Sequence, residues 1–115
     1  MITNSPECQL SAIVDPTEDA KHYAARLKIA HYLTLTELFQ QQDPDGIILA
    51  TPNHLHAEQA MQCLDAGIPA IIEKPVTHTL EAGQQLLERV TASDVDMLVG
   101  HHRMHSPIMQ MARQA

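Results

Sequence analysis

Four short polar clusters, each placed just after an apolar run, are where this sequence could do chemistry. Asp15-Pro16 follows the run Leu10–Val14, and Thr51-Pro52-Asn53 follows Gly46–Ala50. Glu73-Lys74-Pro75 closes the run that starts at Ala70, and Gly100-His101-His102-Arg103 closes the one that starts at Val95. If each run is a strand of an open α/β sheet, its carboxyl end is where ligands bind, and four such ends share one rim. Read singly, most of these residues have plainer roles. Asp15-Pro16 is a turn starter, and Asn53 is a fitting N-cap for a helix. Lys74, wedged between a buried strand and a proline, is less typical of a solvated surface charge. His54, His56, His101, His102 and His105 suggest metal ligation. No cysteine or carboxylate spacing completes a known ligand set, however, and no metal site is expected.

The elements that must position these groups alternate along the chain. Leu10–Val14 reads as a strand ending in a turn. Thr17–Lys28 follows with Ala20, Tyr23, Ala24 and Leu27 at helical spacing. His31–Leu33 reads as a brief strand. Thr34 and Glu37 then form a capping-box pattern that opens a helix ending near Gln42. Gly46–Ala50 is continuously hydrophobic, as a parallel strand buried on both faces should be. Leu55–Ala66 is predicted helical, with Ala57, Ala60, Met61 and Leu64 on one face and Gly67 as its stop. Ala70–Glu73 is a further strand. Thr79–Ala92 is a helix with Leu80, Gly83, Leu86, Leu87 and Val90 facing inward, Val95–Gly100 is a last strand, and Pro107–Ala115 begins a last helix. Strands and helices in this order imply right-handed crossovers and a doubly wound parallel sheet covered on both faces.

The bulk properties narrow the function classes. A chain of 115 residues holds one small domain. Its net charge of -7, from 7 basic and 14 acidic residues, opposes the phosphate-neutralising surface that nucleic-acid binding needs. No apolar stretch is long enough to cross a bilayer. No signal-peptide pattern precedes Leu10, and Cys8 and Cys63 form no paired motif, so a cytoplasmic location is expected. The methionines at positions 61, 97, 104, 109 and 111 read as packing residues.

Three stretches, "AIVDP" at 12–16, "DGIILATPNHLHAEQAMQCLDAGIPAIIEKPV" at 45–76 and "LVGHHRMHSP" at 98–107, resemble the glucose–fructose oxidoreductase and inositol dehydrogenase (Gfo/Idh/MocA) family. The resemblance runs from Ser5 onward. It implies an incomplete Rossmann-like NAD(P)-binding domain over residues 1–115, and hydride transfer at a hydroxyl-bearing carbon of a sugar or polyol. On the resemblance, Asp15 would accept hydrogen bonds from the adenosine ribose, favouring NAD because a carboxylate repels a 2′-phosphate. Thr51, Pro52, Asn53 and His56 would line the cofactor's path, with Glu73, Pro75 and Arg103 completing the cofactor-binding set. Lys74 would be both a cofactor contact and the catalytic residue, bonding the substrate hydroxyl, stabilising alkoxide charge and relaying a proton. His102 is a weaker carry-over beside Arg103.

The family's opening strand and Gly-x-Gly-x-x-Gly turn have no counterpart in Met1–Gln9, and its second, substrate-binding domain has none after Pro107. A truncated domain is therefore expected, with little or no catalysis by the chain alone. The missing first strand would leave two inner strands with open edges or force them to pair with each other, and open edges favour self-association. Two alternatives stand beside the dehydrogenase reading. One is a non-catalytic nucleotide-binding remnant or interaction module, and the other a histidine-rich metal-binding protein.

Overall fold

The fold follows from nine short elements, among the described residues, in strict β/α alternation. The structure is a computed structural model, and it describes residues 5–101 and Met111. They divide into two compact units, one ending at Pro44 and one starting at Asp45.

In the first unit, β1 (Ala12–Val14) pairs in parallel with β2 (Ala30–Tyr32), in the register Ala12↔Ala30 to Val14↔Tyr32. The crossover between them is α1 (Glu18–Leu27), which Thr17 caps by accepting the amide of Ala20. Its C-terminal cap, Lys28, sits in the left-handed region with φ of 56°, an unusual position for a residue with a Cβ. Only Ala24 of the predicted stripe is fully buried. Tyr23 stays exposed, with the Arg26 guanidinium 5.2 Å over its ring.

Thr34 caps α2 (Leu35–Gln41) by accepting the Glu37 amide at 3.2 Å. The return bond of the predicted capping box is shifted by one residue. The Glu37 carboxylate accepts from the amide of Leu33, at 2.8 Å, instead of from Thr34.

In the second unit, β3 (Ile47–Leu49), β4 (Ala70–Ile72) and β5 (Met97–Val99) form a parallel sheet in that order. The pairs Leu49↔Ile72 and Ile72↔Val99 align their carboxyl ends. The two crossovers are α3 (Asn53–Ala66) and α4 (Leu80–Thr91), which pack on each other and are joined by an ion pair between Arg89 and Asp65. Gly67 ends α3 with φ of 72°, where a glycine carries no steric cost. Thr79 caps α4 by accepting the Ala82 amide.

The core of this unit is Leu49, Ala57, Ala60, Cys63, Leu64, Ile68, Ala70, Ile72 and Leu86, with one polar member, His56. Both-face burial of the strands was expected, and the structure corrects it. Ile48, Ile71 and Leu98, side by side in the register, are 48%, 38% and 61% exposed. Side chains alternate across a strand, so one face meets the core while the other carries this apolar ridge. The ridge lines a shallow groove with Gly46, Pro69 and Asp96. Helix α4 is corrected in the same way: Leu86 is buried, but Leu80 and Leu87 are exposed.

β1 is hydrogen-bonded to β2 alone and β3 to β4 alone, so the strands fall into two separate sheets among the described residues.

Candidate functional site

Parallel order places the carboxyl ends of β3, β4 and β5 on one rim, and three of the four predicted clusters follow them directly. Glu73 continues the ladder by donating its amide to Leu49 O at 2.9 Å, and Gly100 does the same to Ile72 O at 2.9 Å. The chain then leaves each strand into a loop that carries polar groups on exposed backbone.

After β3, the Thr51 hydroxyl donates to Gln59 Oε1 at 2.5 Å, tying the turn to the second turn of α3. Of the two readings open for Asn53, a cofactor contact and an N-cap of this helix, the structure removes the N-cap. Pro52 occupies the N-cap position and makes no side-chain cap bond, so Asn53 is the first helical residue. The Asn53 side chain is therefore left exposed and uncommitted at the helix N-terminus, where backbone N–H groups point outward.

After β4, Glu73 lies half-buried, and Lys74 is exposed and joined to Pro75 by a cis peptide bond. Lys74 forms neither of the two ion pairs present among the described residues. Glu73 does not hold it. The Glu73 carboxylate instead lies against the backbone of Gly100, where a Cβ would come within 2.8 Å of Oε1.

His56 belongs to this rim by sequence, but the structure places it beneath. Its side chain is 1% exposed. Nδ1 lies 2.8 Å from the Pro75 carbonyl oxygen, and Nε2 lies 2.7 Å from that of Thr51. The ring thus joins two of the loops from below. A signal for this was present in the sequence: His56, Ala60, Cys63 and Leu64 share one helical stripe, so the histidine lies on the apolar face.

Asp15 sits in the first unit, at the end of β1, where its amide donates to Tyr32 O at 3.0 Å. Asp15 Oδ1 accepts from the Thr17 amide at 2.8 Å and from the Thr17 hydroxyl at 2.6 Å. Those bonds from Thr17, with a smaller contribution from the charge on His31, hold the Asp15 carboxyl below its ordinary value. His31 Nε2 lies 2.8 Å from the Asp15 carbonyl oxygen, a support that sequence reading missed. The turn-starter role is thus observed, and it occupies one carboxylate oxygen; Oδ2 has no hydrogen-bond partner among the described residues.

His101 is exposed at the end of β5, whereas His102, Arg103 and His105 lie outside the described residues, as does the helix predicted from Pro107 apart from Met111. Among the described residues no three metal-ligating side chains come together, and no helix is long and apolar enough to cross a membrane.

Known proteins carry the same architecture. The model of an oxidoreductase family with an NAD-binding Rossmann fold matches residues 1–101. The chain is 31% identical over 102 residues to 4-carboxy-2-hydroxymuconate-6-semialdehyde dehydrogenase of a Sphingobium species, covering 88% of this chain and 32% of that protein. It is 33% identical over 98 residues to scyllo-inositol 2-dehydrogenase (NADP(+)) of Bacillus subtilis, covering 84% and 27% respectively. The WlbA dehydrogenase of Bordetella pertussis, solved in complex with NADH and UDP-GlcNAcA, superposes with a TM-score of 0.91 at 24% identity. That superposition covers 99% of this chain and 34% of that one. The chain thus spans roughly a third of the length of the curated relatives it matches. Sequence match and superposition agree over nearly its whole length, and the chain belongs to the Gfo/Idh/MocA oxidoreductase family, with the NAD-binding Rossmann fold of that family.

Proposed function

We propose that this chain supplies cofactor-binding and catalytic groups of an NAD(P)-dependent dehydrogenase acting on a sugar or polyol. The observation that carries the reading is the shared rim of β3, β4 and β5, where Asn53 and Lys74 stand exposed and, among the described residues, without side-chain partners. Uncommitted polar groups on a rigid strand-end platform are what a bound dinucleotide and a hydroxyl substrate require.

When bound, the nicotinamide supplies the acceptor for a hydride leaving the hydroxyl-bearing carbon. Lys74 would hydrogen-bond the hydroxyl on that carbon, stabilise negative charge on its oxygen and relay the departing O–H proton to solvent water. Thr51, Pro52 and Asn53 line the approach to the nicotinamide, with Thr51 fixed by Gln59. Glu73 and Pro75 shape the loop that presents Lys74, and Arg103 completes the cofactor contacts. Asp15 accepts the adenosine ribose hydroxyls on Oδ2, since Oδ1 is occupied by Thr17. A carboxylate there disfavours a 2′-phosphate, so NAD is the expected cofactor. The cytoplasm is the proposed location.

Grafting residues 12–101 in place of the matching segment of the Bacillus subtilis relative tests this reading. The graft is expected to turn over a polyol, and Lys74→Ala in it to lower kcat at least about 100-fold with NADH affinity nearly unchanged. Unchanged turnover in a folded Lys74→Ala graft would remove Lys74 from the chemistry.

A further inference from the structure

The His56 ring faces two groups of the same kind. A carbonyl oxygen lies 2.8 Å from Nδ1 and another 2.7 Å from Nε2, and a carbonyl only accepts hydrogen bonds. A neutral imidazole has one N–H and one bare nitrogen, so it can serve only one of these carbonyls. Its bare nitrogen would then meet the other oxygen lone pair to lone pair, well inside hydrogen-bond distance and shut away from water. Turning the ring over would set carbon atoms against the same oxygens and leave neither carbonyl with a ring N–H donor. Only a ring with a proton on each nitrogen satisfies both.

We propose that His56 is a positioning residue whose doubly protonated imidazole clamps the Thr51 and Pro75 carbonyls, fixing the turn after β3 against the loop that carries Lys74. Each bond is then charge-assisted, which makes it shorter and stronger than a neutral one. The ring forms neither of the ion pairs among the described residues, so its charge is held by backbone dipoles alone. The titratable side chains on the elements that carry it and its acceptors are His54 and Glu58 on α3, and Glu73, Lys74 and His78 after β4. All of these except Glu73, which is half-buried, are exposed.

The clamp has a mechanical consequence. Thr51 is also tied to Gln59, and Pro75 follows Lys74 directly, so one ring sets the separation of the two loops. Removing one proton must release one carbonyl, and the loop that loses its bond is free to shift. The effect on cofactor placement rests on the function proposed above, whereas the state of the ring does not.

The test uses the whole 115-residue chain, labelled with 15N and 13C, and reads the ring nitrogens of His56 and the carbonyl carbons of Thr51 and Pro75 by NMR. Two protonated ring nitrogens, with N–H protons slow to exchange with water, are expected for His56 in the folded chain. One protonated and one bare nitrogen in the folded chain would overturn the proposal. His56→Gln carries its N–H donors on a single nitrogen and so reaches one carbonyl only. If it folds, it should hold one of the two carbonyl signals near its original position and move the other; both unmoved would count against the clamp.

Discussion

The carboxylate of Glu73 rests against the Cα of Gly100, so that the end of β4 and the end of β5 meet through a side chain on one and the lack of one on the other. A Cβ on Gly100 would lie 2.8 Å from Glu73 Oε1 and 3.1 Å from its carboxyl carbon. The obstructing atoms are the far end of a flexible side chain, which can swing away. Gly100→Ala is therefore expected to cost less than about 1 kcal/mol while moving the Glu73 carboxylate off the rim. In a Glu73→Ala background the same substitution should cost still less, a non-additivity that a double-mutant cycle by urea denaturation measures. Additive costs would mean that the two residues do not touch.

Ile71 and Ile72 are neighbours on β4 with opposite fates, the first 38% exposed and the second 2%. Ile72→Ala should destabilise by about 2–4 kcal/mol, since it empties a packed site behind α3. Ile71→Ala removes a side chain from the exposed ridge and should cost under about 1 kcal/mol. Denaturant midpoints of the two variants check this. Equal losses would show that the ridge face is covered in solution.

Burial pushes the Cys63 thiol up to about 11, so at mildly alkaline pH almost none of it is the reactive thiolate. Cys63 should resist alkylation in the folded chain and react once denaturant is added, as mass spectrometry of the modified peptide reports. Rapid labelling without denaturant would contradict the packing of α3.

The Thr17 bonds hold the Asp15 carboxyl below its ordinary value of 3.8, so the folded state releases this proton more readily than the unfolded one. The group therefore favours folding where it is ionised, above its unfolded value, and that contribution fades as acid protonates the folded carboxyl. Asp15→Asn should lower the melting temperature slightly at neutral pH, with the difference shrinking towards zero in strong acid. A difference constant across pH would mean that ionisation of Asp15 plays no part.

Much of the fold was legible because each boundary has a local cause. Thr17, Thr34 and Thr79 cap where a hydroxyl precedes a helical stripe, and Gly67 stops α3 where a left-handed residue is needed. What was not legible depends on neighbours outside the local pattern. The continuous run at Ile47–Leu49 could not say that Ile48 would face outward uncovered, because burial of a second face depends on what packs there. Asn53 has the chemistry of an N-cap, yet Pro52 takes that position, since its fixed φ suits the bend into α3. At the site, the clusters at 51–53 and 73–75 were found by their place after strands. The supports, Gln59 for Thr51, His31 for Asp15 and the Glu73–Gly100 approach, depend on contacts that no local pattern announces.

The proposed function is that this chain contributes residues to a dinucleotide site with a preference for NAD. Its most direct test is the affinity of the folded graft in the Bacillus subtilis relative for NADH and NADPH, followed by fluorescence. Saturable binding of both is expected, with NADH the tighter, and loss of that preference in Asp15→Ala. A graft with a cooperative melting transition that binds neither nucleotide would contradict it.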